Sequence, residues 1–288
     1  MTELRFTSRA PSRSSRILRH AALAFALAAS AASYSERAVA DPGQVLQPAP
    51  GMRVRARHAA RDAAEDLLGD ALRDVKLRPE QRTQIDQLKK DALTTHTALR
   101  AAKRVLLEAT ALQMEASKFD RWALKAPVDA VMQAWEKDSR AERIALDKLH
   151  ALLDKEQRAQ LAAAIEAQLG HGDAGEAGDV RRLGEDLKLD KEQREHLAAW
   201  FKDQAKAERE SRAQAKDRER KLLDAFKGDK FKSDQAYPLA TARVRPQEET
   251  DRLVAVAEQL HPVLSGEQRA LAATMLRDRA SSGAALRF

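Results

Sequence analysis

Leu189-Asp190-Lys191-Glu192-Gln193-Arg194 recurs in variant form three more times, as LRPEQR at 77–82, LDKEQR at 153–158 and LSGEQR at 264–269. Each copy reads as a helix start. A leucine (Leu77, Leu153, Leu189, Leu264) stands before the cap. Asp154, Asp190 or Ser265 serves as N-cap in three copies, and a glutamine three residues later (Gln81, Gln157, Gln193, Gln268) can return a bond to the cap N–H. The first copy has Arg78 at the cap and is partly compensated by Pro79 at the first helical position, where a missing N–H costs nothing.

Spacing carries more information than the motif. Leu77 and Leu153 are 76 residues apart and Leu189 and Leu264 are 75 apart, while corresponding copies lie 112 and 111 apart. Phe119 maps onto Phe231 at 112, and Pro127 onto Pro238 and Leu149-His150 onto Leu260-His261 at 111. One period that links a motif, an aromatic, a proline and a histidine marks a tandem duplication.

The 288 residues suffice for two domains that each bury a core. Ala, Leu, Glu, Lys, Arg and Gln dominate, and glycine, aromatic and β-branched residues are sparse, so the expected class is all-α with charged helix surfaces. The formal charge of +7 points to nucleic acid or an anionic surface. Residues 1–40, however, hold six arginines against Glu3 and Glu36, and without them 45 basic residues face 42 acidic ones. Nucleic acid is therefore not an expected partner.

Residues 1–40 read as a secretory signal. Arg5, Arg9, Arg13, Arg16 and Arg19 precede an apolar run from Ala21 to Ala32, and Ala38-Val39-Ala40 is an A-x-A site that places cleavage after Ala40. The run is too short to span a bilayer. With no cysteine in the chain, the exported protein has neither a disulfide nor a lipidated thiol and must stand on helix packing. Residues 41–57, rich in Pro, Gly and Arg, read as a flexible leader.

The first repeat, 58–169, should open with a short helix near 59–75. After its hexapeptide, Ile85, Leu88, Ala92, Thr95, Leu99, Ala102 and Leu106 form a seam in steps of three and four. A turn at Phe119 and a helix opened by Pro127 follow. There Val128, Val131, Trp135, Leu146, Leu149 and Leu153 make the answering seam, interrupted by Ser139 and Glu142. This is an antiparallel hairpin of long helices with a shorter helix at each end. Residues 170–184, with five glycines, read as a linker. The second repeat, 185–288, has the same layout but no large apolar residue from Lys202 to Lys221. Lys206–Glu210, Glu208–Arg212 and Asp217–Lys221 can support a solvated helix there, at about 0.2–0.5 kcal/mol each. Pro246 stands where the first repeat has Trp135 and should kink or restart its helix.

Paired L-x-x-x-Q helix starts flanking a helical hairpin behind a signal segment resemble the Spy/CpxP family of periplasmic proteins, defined by a doubled L-T-x-x-Q motif. The likeness covers Leu77–Gln81 with Leu153–Gln157 and Leu189–Gln193 with Leu264–Gln268. The family's threonine is replaced by Arg78, Asp154, Asp190 and Ser265. The resemblance implies two four-helix units that pair as an intrachain pseudo-dimer with one concave cradle, or else a homodimer. It also implies ATP-independent binding of unfolded exported proteins in the periplasm. The alternative it implies is a metal-responsive accessory protein or one that restrains a sensor kinase's periplasmic domain.

No catalytic constellation, phosphate loop or pair of histidines at one-turn helical spacing is present, so neither enzymatic activity nor a cofactor is expected. His150 and His261 occupy matching places before a hexapeptide leucine. They fit helix C-termini favoured by the macrodipole better than metal ligands, and no metal site is expected. Client binding is expected at apolar residues, with Leu88, Leu99, Trp135, Trp200 and Phe201 as candidates.

Overall fold

The computed structural model describes residues 71–169, 181 and 183–282. The expected signal segment, leader, most of the 59–75 helix and most of the 170–184 linker lie outside the described residues. The chain is all-α: 86% of the described residues are helical and none of them lies in a strand. None of the described helices is long and apolar enough to cross a membrane.

Helix α1, Pro79–Glu115, is followed by a 3-10 turn at Arg121–Leu124 and by α2, Lys125–Leu152. Then come α3, Lys155–Leu169, and α4, Lys191–Lys227. The single turn α5, Ser233–Ala236, leads into α6, Leu239–Leu260, and the chain continues into α7, Gly266–Ser282. Four of these helices (α1, α3, α4 and α7) begin within or directly after a hexapeptide. Leu183 and Gly184, expected in the linker, are helical instead, and Leu183 is buried. That short helix ends in a Schellman turn. Lys188 adopts φ 52°, Leu189 N–H donates to Gly184 O at 2.9 Å and Lys188 N–H to Glu185 O at 3.2 Å.

The helices α1 and α2 pack along one another as the expected hairpin. Their counterparts α4 and α6 stand further apart among the described residues, with the Ser211 hydroxyl donating to Glu248 at 2.6 Å. The cause is the lack of large side chains on the middle of α4, where Asp217–Lys221 at 2.7 Å is an exposed pair. Helix α6 runs through Pro246 without a restart, and the Thr250 hydroxyl donates to Pro246 O at 2.7 Å. The seam on α1 also shifts: Thr95 is exposed and His96 is buried.

Two apolar clusters hold the molecule, and each draws on both halves. One joins Leu106, Leu107 and Met114 of α1 and Trp135 of α2 to Leu187, Leu260 and Leu276. The other joins Ile85 and Leu88 of α1, Leu149 of α2 and Leu161 of α3 to Leu222, Leu223 and Phe226 of α4. Accordingly α7 lies against α1 and α3 against α4. Arg277 reaches across to Glu115 with two bonds of 2.6 Å, and Lys227 to Glu166 at 2.7 Å.

Phe226 is fully buried in a cluster built mostly by the first half, whereas Trp122 is 80% exposed. Phe226→Ala is expected to cost about 3–5 kcal/mol in urea unfolding, and Trp122→Ala less than about 0.5 kcal/mol. Equal, small losses would show that α4 is not part of a shared core.

Candidate functional site

The four hexapeptide glutamines do more than cap. Gln81 Oε1 accepts the Arg78 N–H at 2.9 Å, and Gln157 Oε1 accepts the Asp154 N–H at 3.0 Å. The same two amides then bond each other reciprocally, Gln81 Nε2 to Gln157 Oε1 at 2.9 Å and Gln157 Nε2 to Gln81 Oε1 at 3.0 Å. Their remaining N–H bonds go to main chain, from Gln81 to Leu152 O at 2.6 Å and from Gln157 to Lys76 O at 2.7 Å. Both donors and both acceptor sites of each amide are thereby used.

The second half repeats this clasp. Gln193 and Gln268 exchange two bonds of 2.9 Å, and their other N–H groups reach Val263 O at 2.8 Å and Lys188 O at 3.1 Å. Their Oε1 atoms accept the cap N–H groups of Asp190 at 3.0 Å and Ser265 at 2.9 Å. Asp154 and Asp190 each accept the return bond at 2.9 Å and Ser265 at 3.3 Å, so three copies form complete capping boxes. The Arg78 side chain cannot accept, and the first copy makes only the returning half.

His150 and His261 connect the halves. His150 Nε2 donates to Gly228 O at 2.8 Å, just past α4, and His261 Nε2 donates to Ala116 O at 2.9 Å, just past α1. An acceptor carbonyl requires the hydrogen on Nε2 in both rings. His150 stacks on Phe231 at 5.0 Å, and His261 lies 5.8 Å from Phe119. Each histidine thus closes the exposed carbonyl end of the other half's long helix, with an aromatic of that half against its ring. Those ring nitrogens are committed to structure.

Between the two apolar clusters the α1–α2 hairpin carries a buried polar layer: His96, Asp138, Ser139, Glu142 and Arg143. His96 Nδ1 donates to Asp138 Oδ2 at 2.7 Å. Arg143 donates to Ser139 Oγ at 2.6 Å and to Tyr237 O at 2.8 Å, and pairs with Asp234 at 3.0 Å. Burial pushes the Glu142 carboxyl well above the usual range. The Asp138 charge adds to the rise, and Arg143 and Lys103 partly offset it. Burial also lowers Arg143 from its ordinary value, against the pull of Asp234 and Glu142. The sequence reading noticed Ser139 and Glu142 only as breaks in a seam. The overlooked signal was Asp138 and Glu142 one helical turn apart, facing a histidine on the seam of the partner helix.

Leu88, Leu99 and Trp135 are core residues, at 7, 0 and 4% exposure, so they offer no surface to a client. Trp200 and Phe201 are half-buried against the first cluster, edge to face at 5.0 Å. Among the described residues the exposed large apolar side chains are others: Val105, Leu112, Trp122, Ile144 and Val244.

Gln157→Glu separates a cap from a clasp. Glutamate serves a capping box as well as glutamine does, but it cannot donate, and it buries a charge against Gln81. The clasp therefore predicts a loss of about 2–3 kcal/mol in denaturant unfolding, and a smaller one for the less buried Gln268→Glu. No loss in either would leave only the caps. Glu142 gives a pH dependence. It is protonated in the folded chain at pH values where the unfolded chain has ionised it, so the unfolded state binds fewer protons and stability falls as pH rises above the ordinary carboxyl range. In metal-free buffer, Glu142→Gln should raise the melting temperature at neutral pH, with the gap closing as pH approaches about 4. A gap independent of pH would contradict a protonated Glu142.

Residues 65–164 match the family described as LTXXQ motif family protein. That span contains the first pair of hexapeptides and ends before the second. Neither a curated protein nor a solved structure matches the chain. Residues 65–164 are thus similar to the LTXXQ motif family, the family of Spy/CpxP-like periplasmic proteins.

Proposed function

We propose that the protein is an ATP-independent chaperone of the exported compartment, binding unfolded proteins through apolar side chains set into a charged helical surface. One observation carries the reading: Trp122, Leu112, Ile144, Val105 and Val244 are 80, 60, 57, 51 and 43% exposed in a chain with 33% charged residues. Exposed apolar groups that gather on one face of a charged surface mark places where other proteins bind. Val105 and Leu112 are seven residues apart on α1 and share a face, and Trp122 stands in the turn that follows. Apolar contacts supplemented by scattered charge suit loose recognition of many exposed segments, without the shaped pocket that selects one ligand. The signal segment expected at 1–40 and the family's typical location support an exported, periplasmic setting.

The test is light scattering from a thermally unfolding client such as citrate synthase, with the mature protein at equimolar ratio and no nucleotide. Suppression is expected. Leu112→Ser with Trp122→Ser should weaken it several-fold and leave the melting temperature within a few degrees of wild type. Absent suppression, or suppression that the double substitution leaves intact, would overturn the proposal.

A further inference from the structure

The polar layer of the α1–α2 hairpin takes no part in the clasps or the histidine contacts. It also breaks the internal repeat, because the offsets of 112 and 111 put Glu208, Glu249 and Leu253 where the first half has His96, Asp138 and Glu142. One imidazole and two carboxylates meet there, each with a ligand atom within 4.8 Å of the others. The three residues are 4, 1 and 2% exposed. Asp138 Oδ1 and Glu142 Oε1 are enclosed and accept no hydrogen bond. Two orphaned carboxyl oxygens out of water, on side chains of one cluster, are a costly arrangement that hydrogen bonding within the protein leaves unresolved.

We propose that His96, Asp138 and Glu142 form a binding site for one divalent first-row transition cation per chain, with zinc as the best match. A doubly charged ion compensates both carboxylates and gives each orphaned oxygen a partner. One nitrogen and two oxygens are a donor set zinc accepts, with water completing the shell. Calcium and magnesium prefer all-oxygen shells of six or more ligands, which three residues including a histidine do not supply. Asp138 and Glu142, one turn apart, project from one face of α2, and His96 Nδ1 already points at Asp138 from α1. The ion would therefore link the two helices between the apolar clusters. On binding, Glu142 gives up its proton and the imidazole hydrogen moves to Nε2.

Two cations face the site. Arg143 is engaged by Ser139, Tyr237 and Asp234, and the charge of Lys103 acts on Glu142. Both reduce the site's pull on a cation, which favours the tighter-binding transition ions over weakly held ones.

Calorimetric titration of zinc into the chelator-stripped full chain tests the proposal, with Asp138→Asn plus Glu142→Gln as the site variant and His150→Gln plus His261→Gln as the control. Wild type and control should bind with equal affinity. The site variant should bind at least about 100-fold more weakly, beyond the 10–100-fold typical of losing an outer-shell group. Zinc should also raise the melting temperature of the wild type and leave that of the site variant unchanged, and the variant's own cooperative melt checks that it folds. Cobalt should give the visible d–d bands of a ligated ion only where the triad is intact. No binding to the wild type, equal binding to the site variant, or loss in the histidine control instead would overturn the assignment.

Discussion

The reciprocal bond between two glutamine amides is the constraint on which the rest of this fold depends. An amide offers two donors and two acceptors, and here each glutamine spends one acceptor on its own helix cap and pairs with the other glutamine through a donor and an acceptor. Its last donor goes to the main chain just before its partner's hexapeptide. A local signal that starts a helix is thereby joined to a long-range contact that sets where another helix starts. Gln81 and Gln157 tie the beginning of α1 to the junction of α2 and α3. Gln193 and Gln268 tie the beginning of α4 to the junction of α6 and α7. No other uncharged side chain of that length both donates and accepts, and this accounts for the glutamine at the same place in four copies.

With the helix starts pinned, packing follows from which faces are apolar. The two clusters exist because α7 covers α1 and α3 covers α4, so neither half completes a core from its own residues. The histidine bonds obey the same exchange: His150 of the first half closes the helix end at Gly228, and His261 of the second closes the one at Ala116. A charged helix such as α4 survives in this arrangement because its ends are anchored in the two clusters, even though its middle contributes little to either.

Much of this was legible in the chain. The helix starts, the long hairpin and the all-α class follow from caps and periodicity, which are local. What escaped the sequence depended on partners far away in the chain. Cap and clasp use the same glutamine, and only the fold shows the second role. Leu88, Leu99 and Trp135 read equally well as surface or core until the covering helices are placed. Thr95 and His96 are adjacent, and the fold turns His96 inward, where its ring reaches Asp138 on α2, while the Thr95 hydroxyl bonds the Ala92 carbonyl of its own helix. Pro246 reads as a break, yet α6 continues through it, because the burial of Ala242, Leu253, Val256, Ala257 and Leu260 of that helix in the core offsets the hydrogen bond that the proline removes.

The exchange of contacts between halves also bears on concentration and on symmetry. When two identical chains pair, their association weakens on dilution; here both surfaces belong to one chain, and the local concentration of one half near the other is set by the connecting segment. In a pair of identical chains every substitution appears twice, on both sides of the axis. A fused chain carries each position separately, so Leu253 can stand opposite Glu142, and Pro246 opposite Trp135, with only one side altered. The triad of the α1–α2 hairpin, with Glu208 and Leu253 at the places equivalent to His96 and Glu142, is the kind of specialisation that such independence permits.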